Sequence, residues 1–354
     1  MWKKEIIAVL ILLFISMNIF SSAAIYNVKV SISTTERGQT LYVGGSGQGN
    51  YTKIQNAIDN ASDGDIIFVY SGLYFENLVV DKKLNIMGEN KDNTIIDGAY
   101  FTDPLFRLVA DGIIVNNFTM QNAIHNEPDE GAIVIEGSYN IIDNNVITHS
   151  IYLMSAIVLN APSSHNNITG NHISDADGWG VDLGFSNFNI VSNNTITDNN
   201  YGGIHVVSDN NLIFENAITN NKWDGIFLYG KNNLVYENKL ENNGLNGISL
   251  FASESNTINK NNIKSNNQYG IELKYSPNNK FIENNIIDNK MTDAYFQAAG
   301  FSECRNKWRN NYWNEPRTFP KVIRGELFID LLVITIRLPG INIDWNPAKE
   351  PYNI

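Results

Sequence analysis

One asparagine returns every 22–23 residues or so through the middle of this 354-residue chain, and that return limits the fold more than any other feature. It stands at Asn145, Asn171, Asn194, Asn216, Asn238, Asn261 and Asn284. A second series precedes it at Asn140, Asn166, Asn189, Asn211, Asn233, Asn256 and Asn279. Each copy reads Asn-x-Ile-x-x-Asn-x-Ile, then a turn, then Gly-Ile-x-Leu, with the glycine at Gly180, Gly203, Gly225, Gly247 and Gly270. Val191 and Ile196 flank Asn194, and Ile204 and Val206 alternate with His205. Apolar, β-branched residues two apart mark short strands with one buried face. The density of Asn and Gly disfavours helix. One copy cannot bury its apolar face alone, so the copies must stack.

Stacking turns equivalent positions into columns about 4.8 Å apart per rung. One expected inward column is Ile147, Ile173, Ile196, Ile218, Leu240, Ile263 and Ile286, and another is Val181, Ile204, Ile226, Ile248 and Ile271. The column from Asn145 to Asn284 is expected to form an amide ladder, with Phe118 in the equivalent place one rung earlier. Asn tolerates the left-handed backbone of a tight corner, and the repeat glycine is expected to serve a similar corner. A leucine-rich repeat overlaps this period, but neither its Leu-x-x-Leu-x-Leu signature nor a helical return is present. The fold class is therefore all-β: a single-stranded parallel β-helix, right-handed by the usual sense of parallel crossovers.

These repeats resemble those of the NosD-like, pectin-lyase-like β-helix proteins. Leu41-Tyr42-Val43-Gly44-Gly45, Tyr51-Thr52-x-Ile54-Gln55-x-Ala57-Ile58 and Asn311-Tyr312-Trp313 carry the resemblance to roughly residues 41–315. It implies the fold, while the activities found on that fold include lyases, hydrolases, epimerases, adhesins and proteins with no known reaction.

Lys3 and Lys4, the apolar stretch 6–20 and Ser22-Ala23-Ala24 read as a signal peptide over 1–24 cleaved after Ala24, the alternative being an uncleaved N-terminal membrane anchor. A polar leader is expected over 25–40, an N-terminal cap and first rungs over 41–110, the repeats over 111–301, and a C-terminal cap over 302–354. Within the first cap, 52–61 reads as an amphipathic helix with Thr52 and Gln55 in a capping box. At the other end the apolar run 327–338 carries Asp330 and Arg337 and is short for a membrane span. The formal charge of −12 argues against nucleic acid or anionic lipid as partner. Cys304 is the single cysteine, so no intramolecular disulfide forms. Glycosylation sequons occur at Asn50, Asn60, Asn117, Asn167 and Asn193.

Parallel register also brings chemistry together. Asp182 and His205 occupy the same outward position on successive rungs, with Asp177, Trp179, Tyr201, Trp223 and Asp224 in the same copies. A second outward column holds His149, Asp175 and Asp198. Carboxylates and a histidine beside aromatic rings suit an extended sugar chain. The competing account makes the aromatics corner packing and the acids solvated turns.

Three classes of function follow. The first is a secreted or cell-surface protein that binds an extracellular polysaccharide or envelope glycan, or builds the envelope, without turnover. The second is a polysaccharide-modifying lyase, epimerase or hydrolase. Against it, every arginine lies outside the regular repeats, Lys222 is the only lysine near the acidic cluster in sequence, and no Asp-Asp motif occurs. The third is copper handling, which the resemblance implies, but His125, His149, His165, His172 and His205 are scattered and no Met-rich tract exists. No cofactor is expected. Calcium stays open, although the run Gly44-Gly45-Ser46-Gly47-Gln48-Gly49 occurs once and lacks the aspartate of calcium-binding glycine repeats. The first class is the reading the sequence favours.

Overall fold

A computed structural model describes residues 38–98, 103–124, 130–151, 155–160, 162–300, 305–331 and 334–354. The expected signal peptide with Ala24, nearly all of the leader, His125 and Cys304 fall outside the described residues.

Three parallel ladders of short strands run along the chain. The first passes through Ile190–Ser192, Leu212–Phe214 and Leu234–Tyr236, the second through Thr195–Thr197, Ala217–Thr219 and Lys239–Glu241, and the third through Ile204–Val206, Ile226–Leu228 and Ile248–Phe251. Each ladder pairs a strand with its equivalent one copy later, as a solenoid requires. The expected inward columns are register partners, and Ile147 to Ile286 and Val181 to Ile271 are fully buried.

The amide ladder is present and longer than the repeat alone implied. Asn194 donates from Nδ2 to Asn216 Oδ1 (3.0 Å), Asn216 to Asn238 (2.9 Å), Asn238 to Asn261 (2.9 Å), Asn261 to Asn284 (3.0 Å) and Asn284 to Asn311 (2.9 Å). Asn311 then donates to Asp344 Oδ2 (3.0 Å), so the series ends on a carboxylate. At its start Phe118, fully buried, gives its backbone N–H to Asn145 Oδ1. A further buried ladder, Asn199, Asn221, Asn243, Asn266 and Asn289, was not singled out in the sequence.

Two local expectations are corrected. The left-handed backbone falls on the residue before each ladder asparagine (Asn193 φ 53°, Glu215 φ 54°, Glu237 φ 55°), which leaves the asparagine free to point inward. The repeat glycines serve close approach instead of a corner: a Cβ on Gly203 would overlap the Ile218 side chain and crowd the carbonyl of Gly225 one rung on.

The terminal regions differ in detail from the sequence reading. The helix covers Ile54–Asn60, burying Ile54, Ala57 and Ile58 against the strands Thr40–Val43, Ile66–Val69 and Leu78–Val80. No Thr52–Gln55 capping box forms. The Glu76 carboxylate accepts from the Ile54 and Gln55 N–H groups (2.9 and 3.1 Å) and satisfies the same orphan donors. Residues 327–331 and 334–338 of the apolar run pair with each other in the antiparallel strands Lys321–Leu331 and Ile334–Asp344, the first of which continues the third ladder. Gly44 to Gly49 form a loop with positive φ at Gly44, Gly45 and Gly49. Among the sequons, Asn60 and Asn193 are exposed, while Asn50, Asn117 and Asn167 are partly covered.

Candidate functional site

On the outer face of the third ladder one column runs Asp182, His205, Phe227, Ser249, Glu272, Tyr295. The expected neighbours do meet: His205 Nδ1 lies 3.1 Å from Asp182 Oδ2. The two atoms are in close contact without forming an aligned hydrogen bond. The Trp179 ring stacks on His205 (5.0 Å, 15°) and lies across Gly202, where any Cβ would overlap it. Phe227 follows at 5.5 Å from His205, and Tyr201 stacks on Trp223 at 4.4 Å.

Parallel register makes these rings face along the solenoid axis, so most faces are already covered by the next ring. The series stops at Ser249. A small side chain between Phe227 and Glu272 opens a groove of about 480 Å³, two rungs or about 9–10 Å from wall to wall along the backbone. Its lining includes Trp179, Tyr201, His205, Trp223 and Asp224 from the sequence reading. It also includes Phe227, Asn246, Ser249, Phe251, Glu272 and Lys274, which that reading missed. The signal was available, because Phe227, Ser249 and Glu272 sit two residues after Gly225, Gly247 and Gly270, as His205 does after Gly203.

Asp182 stands outside this lining, its Oδ1 accepting from the Gly184 N–H (2.9 Å), and Asp177 accepts from Asn200 at another corner. His149 and Asp175 likewise meet away from the groove, through the Thr148 hydroxyl.

The polar end of the groove is a connected cluster. Asp224, 6 % exposed, accepts from the Asn246 backbone N–H (3.0 Å). Asn246 Nδ2 donates to Glu272 Oε2 (3.1 Å), and Glu272, also 6 % exposed, pairs with Lys274 (2.9 Å). The cation of the site is thus Lys274, not Lys222. Burial pushes the Asp224 carboxyl from 3.8 up to about 6, opposed by the Asn246 hydrogen bonds, with the Glu272 charge adding to the rise.

A second depression, of about 460 Å³, is lined by Glu215, Glu237, Lys260 and residues 352–354 and lacks stacked rings. Among the described residues, no group of three or more His, Cys, Asp or Glu side chains is placed to hold a metal ion. No helix there is long and apolar enough to cross a membrane.

Similar folds are found among solved structures. The A-module of the Azotobacter vinelandii mannuronan C-5 epimerase AlgE6 matches with TM-score 0.56 at 14 % identity, over 74 % of this chain and 82 % of that one. The catalytic domain of a GH87 alpha-1,3-glucanase in complex with tetrasaccharides gives 0.55 at 13 % identity, over 80 % and 60 %. The periplasmic alginate epimerase AlgG gives 0.51 at 18 % identity, over 71 % and 72 %. At these identities the likeness shows a shared fold. No curated protein sequence matches. Residues 191–315 match a family model described as "Right handed beta helix region", in agreement with the expected handedness. Residues 21–244, well over half of the chain, match the model described as "Periplasmic copper-binding protein (NosD)", and the chain belongs to that NosD family of right-handed parallel β-helix proteins.

Proposed function

We propose that this is an exported β-helix protein that binds an extracellular or envelope polysaccharide in the groove over Ser249. The observation that carries the reading is the break in the ring column. Phe227 and Trp223 present apolar surface from the rung before the gap, while Asp224 on that rung, Asn246 on the middle rung, and Glu272 and Lys274 on the rung after it present hydroxyl-binding groups. Sugar rings have an apolar face and a polar rim, and such a cleft complements both. Epimerases of polysaccharides and a glucanase with bound tetrasaccharides among the similar folds agree with a glycan ligand.

Among the described residues, the histidines do not fit the copper in the family's description. His165 is stacked between Tyr139 and Phe188, His205 lies against Trp179, His149 is held by Thr148, and His172 sits on a separate strand face. Copper sites need clustered His, Met or Cys, and among the described residues these histidines do not cluster.

Titration of the purified protein with oligosaccharides, followed by tryptophan fluorescence, tests the reading. Trp223→Ala should weaken binding by about 1–2 kcal/mol, and Ser249→Phe should abolish it while leaving thermal unfolding near wild type. Unchanged affinity in Ser249→Phe would refute the site. Export predicts a mature N-terminus at Ile25, and N-terminal sequencing that finds Met1 on cell-associated protein would establish the anchor instead.

A further inference from the structure

We propose that Asp224 and Glu272 are the acid and base of a glycoside hydrolase centre acting on a neutral glycan seated over Ser249. The inference rests on the glycan-binding reading above and adds turnover to it.

The first support is a position where the fold needs only an amide. Asp224 Oδ1 accepts from the backbone N–H of Asn246, and Asn246 Oδ1 accepts in the same way from Tyr269 (3.1 Å). Asparagine therefore fills this place on the following rung. A carboxyl group at 6 % exposure performs the same structural task at the cost of burying an ionisable group, and what it adds is a transferable proton. Burial holds that proton to about pH 6, inside the range where a general acid is useful.

The second support is the partner. Glu272 occupies the outward column where Ser249 stands one rung before. It is buried, linked to Asp224 through Asn246, and paired with Lys274. Two buried carboxyl groups, only one of them ion-paired with Lys274, thus line one sugar-sized groove, and glycosidic cleavage uses such a pair, one as acid and one as base. The pair joins copies separated by a whole rung, which explains why no Asp-Asp motif marks it.

The substrate class follows from charge. Lys274 is already engaged by Glu272, and the chain carries a formal charge of −12. An anionic sugar would meet net repulsion, so a neutral glycan fits.

In the reaction Asp224 gives its proton to the glycosidic oxygen as the bond from that oxygen to the anomeric carbon breaks. Water forms the new bond to the anomeric carbon and gives a proton to Glu272. The products are one new reducing end and one new hydroxyl. Both carboxyl groups return to their starting states by proton exchange with solvent, and water is the only co-reactant.

The test uses the purified protein with borohydride-reduced neutral oligosaccharides (glucans, mannans, xylans and galactans), recording binding and new reducing ends from pH 4 to pH 8. Wild type should release reducing ends at a rate that falls about tenfold per pH unit above roughly pH 6. Asp224→Asn, which installs the residue the next rung uses, and Glu272→Gln should each lower that rate by about 100-fold or more. Both should lose far more rate than affinity and keep an unchanged circular dichroism spectrum. Binding without reducing ends in wild type, or wild-type turnover in Asp224→Asn, overturns the hydrolase centre and leaves the binding site standing. No binding to any member of the panel overturns both.

Discussion

Replacing one link of the amide ladder measures what holds the solenoid together. Five hydrogen bonds end on the Asn216 side chain: its Oδ1 accepts from Asn194 N–H (3.0 Å) and Asn194 Nδ2 (3.0 Å), and its Nδ2 donates to Val191 O, Phe214 O and Asn238 Oδ1. Asn216→Leu keeps the volume and removes all five. The damage is uneven. Asn194 Nδ2 retains Ile168 O, Phe214 O retains the Asn193 N–H, and Asn238 Oδ1 retains the Asn216 backbone N–H. The Asn194 backbone N–H, fully enclosed, keeps no acceptor. One orphaned donor costs about 1–3 kcal/mol, and the lost bonds to groups with other partners add about 1 kcal/mol more, for about 2–4 kcal/mol in all. Urea unfolding followed by far-ultraviolet circular dichroism reads this as a lower midpoint. Because each rung contacts only its neighbours, the transition should also broaden as the stack splits at the damaged rung. A midpoint and slope equal to wild type would show that the ladder contributes nothing net and that inward apolar columns alone hold the rungs.

Asp224→Asn should change stability in a pH-dependent way. Burial makes the folded chain hold this proton more tightly than the unfolded chain, so the group's favourable contribution is complete below about pH 4 and is lost as pH rises through about 6. The rise from 3.8 to about 6 corresponds to about 3 kcal/mol, so the variant should gain on wild type by up to that amount between pH 3.5 and pH 8. A difference independent of pH would refute the buried carboxyl. Asp344→Ala should cost about 2–4 kcal/mol, because Asn311 N–H, Asn311 Nδ2 and Trp313 Nε1 all converge on Asp344 Oδ2. Asp344→Asn, which keeps an acceptor, should recover most of that loss, and intrinsic tryptophan fluorescence during unfolding distinguishes the two.

The solenoid was legible in the sequence because its cause is periodic: Asn216 and Ile218 recur with one spacing, and one spacing means one register. Part of the aromatic lining was legible for the same reason, since Trp179, Tyr201, His205 and Trp223 flank the glycine of successive copies, whereas Phe227 and Phe251 were missed. Of the polar half, only Asp224 was picked out. Ser249 matters by being small, and a small residue in a column carries no chemical signal until the rings before it are seen to end. Glu272 and Lys274 lie two copies beyond the residues first grouped with His205, and Asp224 resembles an acidic turn residue until its burial is known. The cap of the helix was misread because Glu76, which does the capping, is distant in sequence, and the tight glycines because crowding comes from the next rung.

The direction of the amide ladder bears on how such a protein changes length. Every link is the same: an amide donates forward, accepts from behind, and asks nothing of any other copy. A link spans 22 residues in the copies around Asn216, and the series closes on the carboxylate of Asp344. Deleting one whole copy upstream of the groove therefore removes one link and restores an identical junction, whereas deleting part of a copy turns inward side chains outward. The groove needs only the consecutive rungs that carry Trp179, Tyr201, Trp223, Asn246 and Glu272. Length outside those rungs is free to vary by whole copies, so the same site can be carried at different distances from either end of the stack.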